Sequence, residues 1–434
     1  MFEDPIMAND DALLKALSQE GPMNLPRAYE VMERFGIDGL VLGDPLNVYH
    51  VLGYYPQIGL TRWGQPPTTF AILSRDPAKK PAIVTSHFIY YYSFADGGSR
   101  GDIPAFLFEA SANTGEAKQV EANPMFFANP TGDPLTSVES RRRSETDRVL
   151  ATHHLYSEAG GALVAAMREM GIWNGTIAAD HQVVSAVSET YDRPGRTIDA
   201  DNILRWIRIV KSPLEIELMK RGAAANTAAV DAVVASVRAG AGYRDLRRLF
   251  DVEAAKRGNK SVFMTIDRVS SQLPTDDAVI DGQSLFIDGV SHFQYYHGDY
   301  ARTVFVGEGT TAAKKEAAAA VSGWEAIREQ LRPGMPFAQI SEIGQQALAK
   351  TGADSLVTFG PHSVGLMHTD EPGLDLGGFY SKEQLLLEEN MVLSVDCPSL
   401  ATGIGGSIHI EDLVLITPDG AVPIHPISNH VITV

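Results

Sequence analysis

Four carboxylates and one histidine in the second half of the chain stand where packing has no use for them. Asp288 ends the apolar run Ser284-Leu285-Phe286-Ile287, and Asp299 follows eleven residues later in Gly298-Asp299-Tyr300-Ala301-Arg302-Thr303, just before Val304-Phe305-Val306-Gly307. A strand, a loop and a strand with one acid on either side of the turn can bring both acids to one spot. His362 lies in Phe359-Gly360-Pro361-His362-Ser363-Val364-Gly365-Leu366, Asp396 closes Val392-Leu393-Ser394-Val395, and Glu411 falls inside the β-like run Ile408 to Ile416. An unpaired carboxylate within an apolar run is costly. Period-two alternation points Glu411 to the same side as His409 and Leu413. Each acid taken alone also reads as a strand-end group facing solvent or an arginine. Together, four carboxylates and a neutral imidazole make an oxygen-rich set suited to two hard or borderline dications. Two such ions would offset the four charges, position a water between them and lower its pKa.

The elements that must carry these residues follow from local patterning. Residues 26–35 have apolar spacing of a helix that opens on Pro26, and Gly36 ends it. Short apolar runs at 37–42, 70–73 and 82–85 read as buried strands, and the Ala-rich stretch 145–171 as helix. Alternation of this kind predicts an α/β layer domain. Residues 111–134, rich in Gly, Pro, Asp and Asn, read as a surface excursion. A boundary near 207 precedes Lys211-Ser212-Pro213, where Ser212 and Glu215 form a capping-box pattern for a helix reaching about Val237. Beyond it the sequence echoes itself at an offset of 94. Val237-Arg238-Ala239-Gly240 matches Leu331-Arg332-Pro333-Gly334, Tyr243 meets Phe337, Leu246 meets Ile340, and Lys256-Arg257-Gly258 meets Lys350-Thr351-Gly352. Two copies without a third exclude a solenoid and predict a domain of two related helix-helix-strand halves with a cleft between them. The expected domains are 1–207 and 208–434.

Composition narrows the chemistry. Among 434 residues, 36 basic against 54 acidic side chains leave a net charge of −18. That disfavours nucleic acid and anionic membrane as partners, since both require surplus Lys and Arg. Cys397 is the single cysteine, which removes intrachain disulfides and thiolate zinc sites. With Pro398 after it and no histidine close in sequence, it reads as an inert buried thiol. Met1-Phe2-Glu3-Asp4-Pro5 lacks the basic and apolar regions of a signal peptide, and no apolar run approaches the ~18 residues of a membrane span. The expectation is a cytoplasmic protein.

The ordered set Asp288, Asp299, His362, Asp396, Glu411 resembles the Asp-Asp-His-Glu-Glu metal set of the pita-bread superfamily, which includes prolidase, aminopeptidase P, methionine aminopeptidase and the metal-free creatinase. Lys211-Ser212-Pro213-Leu214-Glu215-Ile216, His362-Ser363-Val364-Gly365-Leu366 and Gly405-Gly406-Ser407-Ile408-His409-Ile410-Glu411-Asp412 are similar to that group's motifs. Met32 to Leu40, with Asn47, Tyr49 and Gly53-Tyr54, looks like a creatinase-type N-terminal domain. The resemblance implies an α+β chain: a creatinase-like α/β domain followed by a pita-bread domain with a pseudo-twofold repeat. It implies a metal-dependent hydrolase that cleaves an amide C–N bond in a small substrate or short peptide, Xaa-Pro peptides among them, by a metal-bridged hydroxide. Two divalent ions (Mn, Co, Zn or Fe) and a homodimer are implied as well. Asp396, Glu411 and His368 are then the catalytic candidates, and His297, Arg302, His409 and Trp63 the substrate-facing ones. The aromatic run Phe88 to Phe94 reads as packing and dimer surface.

Three positions depart from the peptidase pattern. Asp396 replaces the usual Glu and is one methylene shorter. Leu273-Pro274-Thr275 lacks the histidine found upstream of the first Asp, and Thr369 takes the place seven residues after the metal histidine, with His368 one earlier. His292, His297 or His368 can substitute. Non-peptidase pita-bread chemistry, either creatinase-like C–N hydrolysis or a dimethylsulfoniopropionate lyase-like reaction, and a catalytically silent binding module are the alternatives.

Overall fold

The computed structural model describes residues 4–56, 67–95, 103–109, 119–120, 129–267, 278–351, 354–374 and 381–434. Trp63, Leu273-Pro274-Thr275 and most of 111–134 lie outside the described residues. The chain forms two compact units, Leu14–Ile207, and Met1–Leu13 together with Arg208–Val434.

The first unit is built on one sheet of eight strands: β1 Gly39–Leu42, β2 Thr69–Ser74, β3 Ala82–Ser86, β4 Ala105–Phe108, β5 Gln119–Val120, β6 Leu155–Tyr156, β7 Ile177–Ala179 and β8 Thr197–Asp199. Their order is β5-β6-β4-β3-β2-β1-β7-β8. β1 to β3 pair antiparallel, whereas β3–β4, β1–β7 and β7–β8 are parallel. Strands β1 to β4 are buried along their whole length, which is why they read as continuous apolar runs without alternation. The helix Ala159–Glu169 lays Ala162, Leu163, Ala166 and Met167 against Val41, Ile72 and Val84. The helix Leu25–Arg34 opens on Asn24, whose side chain accepts from Arg27 N–H, with Pro26 in its first turn and Gly36 beyond it at φ +66°. The expected helix over 145–171 is two helices, Ser137–Thr152 and Ala159–Glu169. Between them His153 is extended and Leu155–Tyr156 pair with β4 and β5, so sheet hydrogen bonding overrides the helical pattern of the Ala-rich sequence. The aromatic run divides: Tyr90 and Phe94 are buried, while Phe88 and Tyr92 are exposed.

The second unit repeats one plan. The helices Pro213–Val234 and Tyr243–Lys256 cover a sheet ordered β16-β11-β10-β9, formed by β9 Lys260–Ile266, β10 Ser284–Phe293, β11 Tyr296–Phe305 and β16 Val431–Thr433. The helices Thr311–Arg328 and Phe337–Thr351 pair with each other and precede a second sheet, β12 Gly360–Ser363, β13 Val392–Asp396, β14 Leu413–Thr417 and β15 Gly420–Pro423, in sequential order. Ser212 and Glu215 make the expected reciprocal capping box. The core of the first half joins Val230, Val234 and Phe250 to Leu285, Ile287 and Val304. Arg221 grips Asp10 through two hydrogen bonds of 2.6 and 2.9 Å, which ties the start of the chain into this unit. We propose the domain boundary between Ile207 and Arg208.

The echo has a conformational signature. Gly240 and Gly334, at equivalent positions before the second helix of each half, have φ of +84° and +85°. A Cβ at either would meet nothing within 4 Å, so only backbone strain opposes a side chain there. Gly240→Ala and Gly334→Ala are each expected to lower unfolding free energy by about 1–2 kcal/mol, measured by urea denaturation. Loss at one position only would deny that the halves share this turn.

Candidate metal centre

The β10–β11 hairpin delivers the first two carboxylates. Its register opposes Asp288 to Ala301 and Val290 to Asp299. Opposed residues of an antiparallel pair share a face, as do residues two apart on one strand, so Asp288, Asp299 and Ala301 project together. Gln294 and Tyr295 make the turn, both at positive φ (48° and 66°), as a type I′ turn requires. Neither is glycine. Tyr295 stacks on His292 with centroids 5.2 Å apart and donates its N–H to His292 Nδ1 at 3.1 Å, which holds the turn.

Strands β12 and β13 repeat the device. His362 opposes Ser394 and Gly360 opposes Asp396, so His362 and Asp396 are diagonal neighbours on one face. Glu411 arrives differently. The expected strand over Ile408–Ile416 begins only at Leu413. Ahead of it Glu411 bridges to Ala301 of the other sheet, donating to Ala301 O at 3.1 Å and accepting from Ala301 N–H at 3.3 Å. His409 is tied the same way, its backbone N–H and C=O both bonded to the Thr303 hydroxyl. Ala301 therefore lies between Asp288 on one side and Glu411 on the other, and on their shared face it carries only a methyl group.

The five expected ligand residues converge. His362 Nε2 is 3.3 Å from Glu411 Oε1, 3.6 Å from Asp299 Oδ2 and 3.7 Å from Asp396 Oδ2. The Ser394 hydroxyl donates to Glu411 Oε1. Three groups, Asp299–His362–His368, Asp288–His409–Glu411 and His362–Asp396–Glu411, each bring donor atoms within 4.8 Å of one another. Both Asp299 oxygens and Oδ1 of Asp288 are buried with no hydrogen bond. Buried carboxyl oxygens without partners are rare and costly, and a cation satisfies them. The donor set fits divalent metal.

Ionisation tells the same story. Burial, then the Glu411 charge, push the Asp288 carboxyl up to about 7 and hold Asp299 well above the carboxylate range. The same causes raise Asp396 to about 6, although its side chain is 41% exposed and solvent screens that rise most. Burial would lower His362 and His409, but contact with the Glu411 carboxylate outweighs it and lifts them to about 10 and 9. Glu411 stays well below the usual range: burial opposes its charge, and the two histidines overcome burial. Without metal, protons hold this site together.

The remaining candidates divide. His368 Nε2 lies 3.0 Å from Asp299 Oδ2, and His409 Nε2 3.5 Å from both Asp396 and Glu411. His297 sits beside His368 with its Nδ1 3.1 Å from Gly365 O, and burial lowers it to about 4. Arg302, expected at the substrate, is fully buried. Alternation along β11 turns it away from Asp299 and Ala301, and it bonds Glu411 O and Asp412 Oδ1. Trp63 lies outside the described residues. Cys397 is buried, and burial raises its thiol well above the ordinary value.

Two supports were not singled out from sequence. Asp412, buried, accepts from Arg302, Trp324 Nε1 and His430 Nε2 and anchors the segment that carries Glu411. The acidic pair Glu411-Asp412 between apolar runs is the signal that marks it. Glu371 accepts from Ser363 N–H at 3.0 Å and pairs with Lys382, which donates to Pro361 O at 3.2 Å, so the pair brackets His362. No local pattern betrays a brace made by chain segments folded back on each other.

Residues 217–418 match the metallopeptidase family M24. The chain is 25% identical over 229 residues to a Xaa-Pro dipeptidase of Pyrococcus horikoshii, a match covering 51% of this chain and 64% of that one. It is 25% identical over 243 residues to the probable dipeptidase PepE of Mycobacterium tuberculosis, covering 54% and 63% respectively. The matches thus span somewhat under two thirds of these curated relatives. In fold it resembles a dipeptidase from Pyrococcus horikoshii (TM-score 0.68, 14% identity, 95% of this chain and 100% of that one). It also resembles the dipeptidase PepE of Mycobacterium ulcerans (TM-score 0.65, 17% identity, 98% of each). The fold is that of these structures, an α/β domain followed by a doubled pita-bread domain.

Two outcomes are expected. Ala301→Leu should fill the gap between Asp288 and Glu411 and abolish dication uptake, at an overpacking cost of about 1–3 kcal/mol; wild-type metal content in the folded variant would refute the placement. Metal-free protein should lose stability as pH rises. Asp288, His409 and His362 bind protons more tightly folded than unfolded, so their contribution is complete below their unfolded values. It is lost from 3.8 to about 7 for Asp288, and from 6.5 to about 9 and 10 for His409 and His362. Melting temperatures from pH 5 to 9 with and without Mn²⁺ should therefore diverge as pH increases.

Proposed function

We infer, from a chain whose residues 217–418 belong to the pita-bread metallopeptidase superfamily, that this protein is a metal-dependent hydrolase of the prolidase and aminopeptidase P type. Its substrate is a short peptide, and Xaa-Pro peptides are the class proposed, as the named relatives suggest. The observation that carries the reading is the convergence of Asp288, Asp299, His362, Asp396 and Glu411 with buried oxygens that lack donors.

These five side chains would hold two divalent ions (Mn, Co, Zn or Fe), which when bound polarise a carbonyl and lower the pKa of a water. The protein's own groups do the rest. Glu411 is held by Ser394 at its carboxylate and by Arg302 and Ala301 at its backbone, so its oxygens keep their aim. The near-complete burial of Asp299 and Glu411 keeps bulk water from screening the reacting charges. Asp396 is the member open to solvent, and we assign it the proton transfer to the leaving amine, since it can exchange protons with water between turnovers. His297 is assigned to the substrate side. A cytoplasmic homodimer completes the reading, with exposed Phe88 and Tyr92 as its apolar contact.

Protein reloaded with Co²⁺ is expected to release proline from Xaa-Pro dipeptides while leaving Xaa-Ala intact. Asp299→Asn should lower kcat/KM by more than about 100-fold, at least the loss seen when a supporting group of a metal site is removed. A loaded enzyme inert across the Xaa-Pro panel would overturn the peptide substrate and favour non-peptidase chemistry on the same scaffold.

A further inference from the structure

Two histidines beyond the expected ligand set lie inside the donor cluster. His368 Nε2 approaches Asp299 Oδ2 to 3.0 Å, yet both Asp299 oxygens are without a hydrogen bond, so the approach is close but out of line. His409 Nε2 stands 3.5 Å from Asp396 Oδ1 and 3.5 Å from Glu411 Oε2. Atoms bound to one cation at about 2.1 Å are separated by about 3.0 Å along an octahedral edge and about 3.4 Å along a tetrahedral one. The observed spacings are of that size. The two 3.5 Å spacings of His409 lie beyond the 2.7–3.2 Å of an N–H···O bond, and for His368 it is the alignment, not the 3.0 Å distance, that departs from one.

Both rings are fixed by the fold. Phe263 meets His368 edge-on with centroids 5.4 Å apart, and Phe286 meets His409 at 5.5 Å. Thr303 holds the His409 backbone from both sides. Each histidine completes a separate triad, Asp299–His362–His368 and Asp288–His409–Glu411.

We propose that His368 and His409 are metal ligands, one at each end of the cluster, so that imidazole nitrogen contributes at both cation positions. The inference rests on the reading that the site takes two dications. It assigns the site to imidazole-seeking ions such as Zn²⁺, Co²⁺ or Fe²⁺ over Mg²⁺ and Mn²⁺. It also explains how the shorter Asp396 is tolerated: His409 supplies a donor beside it.

Calorimetric titration of the metal-free full chain with Zn²⁺ and with Mn²⁺, followed by X-ray absorption of the zinc-loaded protein, tests this. The expected count is three imidazoles over two zinc ions, from His362, His368 and His409. One imidazole over two ions overturns the proposal. His368→Ala, at a side chain 34% exposed, should fold, lose one imidazole and weaken Zn²⁺ binding at least about tenfold, with a smaller effect on Mn²⁺. Unchanged zinc affinity in that variant overturns the assignment of His368. If His409→Ala does not fold, the wild-type imidazole count still decides. Failure to bind either ion would sink the functional reading itself, whereas binding with a single imidazole sinks only this inference.

Discussion

Carboxylates crowded into a dry site repel one another, and the second unit is arranged around that repulsion. Asp288, Asp299 and Glu411 cannot all ionise together without a counter-charge, because the surrounding protein screens poorly. In the metal-free chain the counter-charge is protonic. Glu411 keeps its charge by leaning on His362 and His409, while Asp288 and Asp299 are pushed towards neutrality. Bound dications would replace those protons with charge that does not depend on pH, which would link metal uptake to proton release. The charge of −18 on the chain as a whole has no part in this balance; the relevant carboxylates are few and buried.

The doubled architecture is what makes such crowding possible. One half presents Asp288 and Asp299 as diagonal neighbours on an antiparallel pair, and the other presents His362 and Asp396 in the same relation. Two rigid sheets thus aim donors at one point from opposite sides. The backbone bridge of Ala301 to Glu411 sits at the site itself, and Ser284 to Gly406 and His297 to Gly365 add further backbone links between the halves. Behind it Arg302, Asp412, Trp324 and His430 form a buried polar network whose charges are paired, so it stiffens the bridge without adding to the repulsion in front. Rigid elements suit a site whose donor spacing must hold to a fraction of an ångström.

Much of this was legible in the chain itself. Apolar periodicity, the Ser212–Glu215 capping box and the 94-residue echo predict the helices, the strands and the doubling, because each depends on interactions within a few residues or on repetition. The convergence of Asp288, Asp299, His362, Asp396 and Glu411 was legible too, since a charged residue at the end of an apolar strand has few reasons to be there. The misreadings were of a different kind. The stretch 145–171 has helical composition throughout, but its middle is recruited by β4 and β5, and strand pairing at long range leaves no local mark. The segment before Leu413 alternates like a strand, but its partners are split between β11 of the other sheet and the residues just past β13.

Residue types and order thus singled out the side chains that converge, because burying a carboxylate within an apolar run demands a compensating partner wherever the chain goes. Only the tertiary structure decided how the histidines and arginine divide. Arg302 sits three residues from Asp299 yet faces the opposite way, since β11 alternates, and it serves the backbone of Glu411. His368 and His409, far apart in sequence, come within 3.0 and 3.5 Å of the acids because two halves of one domain meet there. Distances across that junction depend on strand register and on the methyl of Ala301, quantities that no local pattern encodes.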